Sequence, residues 1–292
     1  MRRVACALVA ALFVAGCGGD DEPAETASRP FVAPDPGPLH VHGLGVNPAD
    51  GALFIATHTG LFRVASDDDV AQRVAGRYQD TMGFTVIGPD RFLGSGHPDL
   101  RERKPPYLGL IASGDAGNTW KPVSLYGKAD FHVLESAGER VVGYGSDFAS
   151  RRQQLLVSDD AGKTWAARNP PGPLIDLALS PADADVWVAS TARAVFRTVD
   201  SGRSWKPLRG SGGLLAWRAP KELVRAGDDG QIGVSSDGGS TWRRVGDLGG
   251  QPAALEGEDD SIYAALHDGV IKRSRDGGRT WAVRSRPEPV DR

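Results

Sequence analysis

Cysteine is nearly absent from this chain: Cys6 and Cys17 are its only two thiols. The remaining residues therefore have no disulfide framework, and a domain built from them must be held by burial, which a chain of this length can supply. Long apolar runs are missing too. Residues 4–15, VACALVAALFVA, fall short of the about 20 residues a membrane-spanning helix needs. Nor is there an excess of positive charge. The net charge is −3, which excludes the basic field that nucleic-acid binding requires. No sustained helical period runs anywhere. What the chain has instead is 38 glycines, 20 prolines and short apolar runs between them, the pattern of an all-β protein.

The N-terminus reads as an address. Met1-Arg2-Arg3 is a short basic start, and the apolar run behind it has the make-up of an export signal. It ends in Val14-Ala15-Gly16-Cys17, which resembles the lipobox of bacterial lipoproteins. That resemblance implies cleavage after residue 16, loss of Cys6 with the signal, and lipidation of Cys17. The residues that follow are acidic, small and proline-rich, a composition that makes a tether. The expected organisation is a signal peptide over 1–16, lipidated Cys17 and a flexible tether over 17–38, and a single domain over 39–292. The protein is then exported and lipid-anchored to the outer face of a bacterial cell membrane, as a monomer.

Within the domain one pattern recurs. SGDAGNTW at 113, SDDAGKTW at 158, TVDSGRSW at 198, SSDGGSTW at 235 and SRDGGRTW at 274 share one template. Their aspartates, Asp115, Asp160, Asp200, Asp237 and Asp276, are spaced by 45, 40, 37 and 39 residues. A worn sixth copy, SDDDVAQR, stands at 66–73. Each copy joins two apolar runs, so each is a hairpin turn. The aspartate accepts backbone N–H bonds, glycine supplies a positive φ, and the tryptophan opens the next strand. Each unit divides into four short strands, such as LIDLALS, DVWVAS, AVFRTV and WKPLRG. Six sets of four predict a six-bladed β-propeller. A seventh blade would need about 40 more residues than the tether can give.

The template S-x-D-x-G-x-T-W resembles the Asp box, or BNR repeat, of β-propellers. Together with HVHGLGV, IATHTGLF, DTMGF, GSGHP and DFH, it resembles the bacterial lipoprotein-type Asp-box propellers, a group often labelled glycosyl hydrolase or exo-alpha-sialidase. The likeness is close over blades 1–3 and generic beyond them.

Strand order then sorts the histidines. With strands A to D counted outward from the channel, the Asp boxes are C–D turns on one face. Starts of A and ends of B lie on the other. His40 and His42 start strand A of blade 1, and His58 ends its strand B. His97 ends strand B of blade 2, His132 starts strand A of blade 3, and His267 ends strand B of blade 6. All six face away from the Asp boxes, and Asp80 and Asp130 accompany them. These eight residues are the expected ligand-binding set. A structural alternative stands beside it: His40 and His42 line a hydrated channel, and His58 and His267 form B–C turns. Imidazoles suit zinc or copper, and a thioether favours copper, so His42, His58, His97, His132 and Met82 are candidate ligands for such a cofactor. No HExxH or HxxEH motif is present.

Two functions follow. One is a binding propeller that captures a glycan, peptide or protein at this mouth. The other, implied by the family resemblance, is sialidase-like glycoside hydrolysis. A sialidase of that superfamily needs an arginine cluster for the substrate carboxylate, a tyrosine nucleophile with a glutamate, and an aspartate acid. The early FRIP-type motif is absent. Asp80, Arg101 and Tyr107 are the candidate catalytic residues, with Arg103, Arg151, Arg152 and Tyr78 nearby in sequence terms. Glu135 lies well past the top of its strand.

Overall fold

The computed structural model describes residues 35–258 and 260–287. The expected signal peptide, Cys17 and the tether up to residue 34 lie outside the described residues. From Pro36 onward the chain forms one compact unit.

Among the described residues there are 24 strands and no helix. Blade 1 comprises β1 (Val41–Val46), β2 (Leu53–Thr57), β3 (Gly60–Val64) and β4 (Gln72–Arg73). Blade 2 comprises β5 (Asp80–Gly88), β6 (Arg91–His97), β7 (Leu110–Ser113) and β8 (Lys121–Ser124). Blade 3 comprises β9 (Ala129–Ala137), β10 (Arg140–Asp147), β11 (Gln153–Ser158) and β12 (Ala166–Arg168). Blade 4 comprises β13 (Leu174–Ser180), β14 (Asp183–Thr191), β15 (Val195–Thr198) and β16 (Lys206–Leu208). Blade 5 comprises β17 (Leu214–Ala219), β18 (Glu222–Ala226), β19 (Gln231–Ser235) and β20 (Arg243–Asp247). Blade 6 comprises β21 (Pro252–Glu258), β22 (Ser261–Leu266), β23 (Ile271–Ser274) and β24 (Ala282–Ser285). Each blade is an antiparallel sheet whose strands pair in chain order, and the six sheets form a six-bladed β-propeller.

Burial follows from that arrangement. Second strands such as β2 are covered on both faces by neighbouring blades, so they read as continuous apolar runs. Outermost strands such as β8 and β16 carry Lys and Pro and face solvent. The innermost strands β1, β5, β9, β13, β17 and β21 each neighbour the next, and β21 neighbours β1, which closes the ring.

The core is not one mass but six clusters, each between two blades. Blades 1 and 2 bury Phe54, Phe84 and Phe92 together, with Phe54 and Phe92 edge-to-face at 4.7 Å. Blades 3 and 4 enclose Trp187, which is fully buried. The tryptophan of each repeated turn packs back onto the preceding blade: Trp120, Trp165, Trp205, Trp242 and Trp281 each enter the cluster on that side. Trp165 also donates its indole N–H to Ser124 Oγ of blade 2 at 2.9 Å.

Inside each turn the bonding is the same five times. In the first, Ser113 Oγ donates to Asp115 Oδ1 at 2.8 Å and accepts the Gly117 N–H at 2.9 Å. Thr119 then donates its N–H and its hydroxyl to the two Asp115 oxygens, at 2.8 and 2.6 Å. Asp160, Asp200, Asp237 and Asp276 repeat this set. Bonds from the Thr or Ser four residues on hold Asp160, Asp200 and Asp237 at about 2.

Blade 1 departs from the plan. Residues 66–73 form its outer connection, and there the Asp68 carboxylate accepts the nearby N–H groups of Asp69 and Val70 instead of closing a turn. No tryptophan fills the seam between blades 6 and 1. Instead, Arg284 of β24 donates to the Ala65 and Asp68 carbonyls, and Ser285 Oγ donates to the Asp69 carbonyl at 2.6 Å. Behind them Val41, Phe62 and Val64 pack on Tyr263 and Ile271.

Candidate functional site

Five innermost strands carry a one-residue bulge near their start. In β1, Val41 pairs with Thr57 and Gly43 with Ala56, leaving His42 between them without a partner. In β5 the bulged residue is Met82, and in β9 it is His132. A bulge re-aims a side chain that simple alternation would place elsewhere. Blades 4 and 6 bulge at the same place, but with Ile175 and Ala253.

The next register position up tells the same story. Asp80 pairs with His97, Asp130 with Ser146, and the His58 N–H bonds to the His40 carbonyl. In blade 6 the corresponding bond runs from the His267 N–H to the Gln251 carbonyl. Glycines let the second strands come this close. A Cβ on Gly96, whose φ is +139°, would sit 2.1 Å from the Asp80 carbonyl oxygen, and one on Gly145 would sit 1.9 Å from that of Asp130.

Two groups of side chains result. In the first, the His42 and His58 rings meet edge-on at 4.3 Å, and His40 stands 5.3 Å from His58. His58 Nδ1 lies 2.9 Å from Asp80 Oδ1, yet the two are not aligned as a hydrogen bond, and Asp80 Oδ1 and His42 Nε2 are both buried without a hydrogen-bond partner. His40 holds a left-handed backbone, φ 54°, unusual for a residue with a side chain. Burial, helped by His58, His132 and His40, lowers His42 to about 4, so it is neutral near pH 7.

In the second group one carboxylate serves two imidazoles. Asp130, only 2% exposed, meets His132 Nε2 at 2.9 Å and His97 Nε2 at 3.4 Å through Oδ2. Burial pushes its carboxyl up, but the bonds from His132 and His97 outweigh that and hold it at about 2. The same pairing raises His97 to about 9 against its partial burial, so this imidazole is charged near neutrality. Its other nitrogen, Nδ1, bonds the Pro106 carbonyl at 2.8 Å. The groups are neighbours: His132 and Asp130 act electrostatically on His42, and Asp80 acts on His97.

Beyond His97 the mouth is aromatic. Tyr107 packs against the His97 ring at 5.5 Å and meets Phe148 edge-on at 5.3 Å, with Arg151 over Phe148. Phe148 was not singled out in the sequence; its place on the blade 3 loop beside Arg151 was the available signal. Arg101 turns away from the histidines. Its guanidinium grips Asp99 and lies over Tyr78. Arg103 and Arg152 are exposed. His267 is also exposed, and among the described residues its side chain makes no ion pair or ring contact with the other five.

The channel's other end holds chemistry of a different kind. A cavity of about 510 Å³ opens there, lined by Glu135, Ser180, Trp217 and Glu256 among others. No histidine lines it, so its carboxyl groups do not converge on an imidazole. Desolvation among the innermost strands pushes Glu135 well up, and takes Glu256 to about 8 and Asp176 to about 7. Asp176 accepts the N–H groups of Leu177 and Leu215, joining blades 4 and 5.

No family model and no curated protein matches the chain. Solved structures do. The chain is similar to a protein of a nidogen/laminin complex, with a TM-score of 0.63 at 9% identity over 81% of this chain and 93% of that one. It is similar to a GH74 xyloglucanase from Xanthomonas campestris, with a TM-score of 0.54 at 18% identity over 85% of this chain and 45% of that one. It is also similar to YCF48 from Cyanidioschyzon merolae, with a TM-score of 0.52 at 16% identity over 86% of each. The chain spans less than half of the xyloglucanase. At these identities the likenesses establish the propeller fold alone.

Proposed function

We propose that this protein is a binding propeller, of the lipoprotein-type Asp-box group, held by lipidated Cys17 on the outer face of a bacterial membrane. It captures a peptide, protein or glycan at the mouth formed by blades 1–3. One observation carries this reading: the register positions that bear His40, His42, Asp80, Asp130 and His132 in blades 1–3 bear Pro173, Ile175, Gln251 and Ala253 in blades 4 and 6. A scaffold repeat explains the strands but not a one-sided concentration of ionisable groups beside an aromatic wall. Binding of the full chain to immobilised peptide and glycan panels tests the reading. Wild type should capture a defined class, and His97→Ala with Asp130→Asn should lose it. Capture that survives the double change would sink the proposal.

A second reading, sialidase-like glycoside hydrolysis, has one observation in its favour. A general acid needs a carboxyl that keeps its proton near neutrality; at the cavity desolvation takes Glu256 to about 8 and raises Glu135. Turnover of fluorogenic sialosides or glycosides that disappears in Glu256→Gln would make this the better account.

A further inference from the structure

The first group at the mouth has a geometry that capture alone does not require. Among the described residues, only His42, His58 and Asp80 bring three possible donor atoms within 4.8 Å of one another. Two of the three polar atoms involved, His42 Nε2 and Asp80 Oδ1, are buried and have no hydrogen-bond partner. A buried polar atom without a hydrogen bond is costly, so two at one point call for an explanation. The third, His58 Nδ1, is close to Asp80 Oδ1 but misaligned for a hydrogen bond. His97 and His132 do not enter this set because Asp130 holds both.

We propose that His42, His58 and Asp80 form a site for a divalent ion of the zinc or copper type, with a coordination position left open toward the mouth. The proposal rests on the reading of the mouth as a binding surface and names the cofactor it uses. Two imidazoles and a carboxylate suit a borderline transition ion rather than calcium or magnesium, which prefer all-oxygen shells. Bonds of about 2.0–2.2 Å to such an ion set tetrahedral donors roughly 3.4 Å apart, so the wider gaps close and the 2.9 Å His58–Asp80 pair opens slightly, which side-chain rotation supplies. Asp80 and His42 fix the inner side of the site. The His58 side chain, 42% exposed, keeps the outer side within reach of solvent. Three protein donors and an accessible fourth position are the arrangement of sites that bind an outside donor. The ion would also replace the misaligned His58–Asp80 contact by bonds to both. A captured ligand would then supply an oxygen or nitrogen donor to the metal, while charged His97 stands close by for an anionic group.

The test uses the full chain, loaded separately with Zn²⁺ and Cu²⁺, dialysed against a weak chelator and assayed by elemental analysis. Wild type should retain the ion stoichiometrically. His42→Ala, His58→Ala and Asp80→Asn should each lower retention by about 10-fold or more, while His97→Ala and His132→Ala retain it. Copper-loaded protein should show nitrogen hyperfine structure in its electron paramagnetic resonance spectrum, and added azide should produce a new charge-transfer band at the open position. Circular dichroism melts in chelator control for folding, and His58→Asn serves if His42→Ala does not fold. Absence of retained ion in wild type, or retention unchanged across the three donor variants, overturns the proposal. Retention without the azide band overturns its open position. Ligand capture that persists without metal removes this inference and leaves the binding reading in place; metal retention without capture does the reverse.

Discussion

At the entrance of the channel, blade 1 places His40 and His42, blade 2 places Asp80 and Met82, and blade 3 places Asp130 and His132. At the same register, blade 4 places Pro173 and Ile175, and blade 6 places Gln251 and Ala253. The backbone plan is shared, bulge included. What differs is only the side chain set on it. The repeat is thus a means of holding many strand starts at one height, and the ionisable groups enter where the repeat is broken. The later blades have their own departure from apolar regularity, the channel carboxyls, but these are raised by desolvation instead of being paired with imidazoles.

This contrast can be broken in order of size. Trp187→Ala in blade 4 should cost about 3–5 kcal/mol, read by denaturant titration, and should leave ligand capture per folded molecule unchanged. His97→Ala should abolish capture in the folded protein, at the stability cost of its ion pair with Asp130. A folded Trp187→Ala protein without capture would mean the halves are not separable. Next comes Ser235→Ala. It deprives the buried Gly239 N–H of its acceptor and should cost about 1–3 kcal/mol. The change Val64→Ser in blade 1, where Leu53 faces Val64 as Phe92 faces Ser113, should also cost about 1–3 kcal/mol, because Val64 is fully buried and no aspartate stands in register to receive the hydroxyl.

The pH dependence sharpens the contrast further. Glu256 and Asp176 titrate near 8 and 7 when folded, against 4.5 and 3.8 for the free groups. The folded state holds the extra protons, so this contribution is complete below about pH 4 and is lost as pH rises through 7 to 8. His97, raised to about 9, contributes fully below its free value of 6.5 and fades through 9. Asp130, lowered to about 2, contributes above 3.8 and fades as pH falls toward 2. The melting temperature should therefore peak in mildly acidic solution. Glu256→Gln should flatten the alkaline limb alone, whereas Asp130→Asn should reduce both limbs. A melting temperature that climbs steadily from pH 5 to pH 9 would contradict these assignments. The smallest effect belongs to the seam: Ser285→Ala should cost about 1 kcal/mol, measured by the same titration.

Much of this architecture was legible before any coordinates. Five nearly identical turns set the blade period, and antiparallel order alone put the histidines on the face away from them. The partners were not legible. Alternation fails at His42, Met82 and His132 because each is a bulge, and a bulge shifts the phase of every side chain before it. Nothing local distinguishes Asp130, shared by two imidazoles, from Asp80, which meets one. Arg101 stood near the site in sequence, but Asp99 two residues earlier captures it. Glu256 and Asp176 were hidden for the opposite reason. Each sits in a short, largely apolar strand, Glu256 with Glu258 at the strand's end, and only the meeting of the innermost strands desolvates it enough to raise its pKa.

The junction between blades 6 and 1 has one further meaning. Blade 1 is made wholly of β1 to β4 and blade 6 wholly of β21 to β24, so no strand crosses between them as a clasp. Among the described residues, the ring is shut by Arg284, Ser285 and apolar packing. Covalent order is then interchangeable with spatial order. A circularly permuted chain that begins at blade 4 and runs through a short linker from blade 6 into blade 1 would keep every sheet whole, and the histidine mouth would be assembled entirely from its second half.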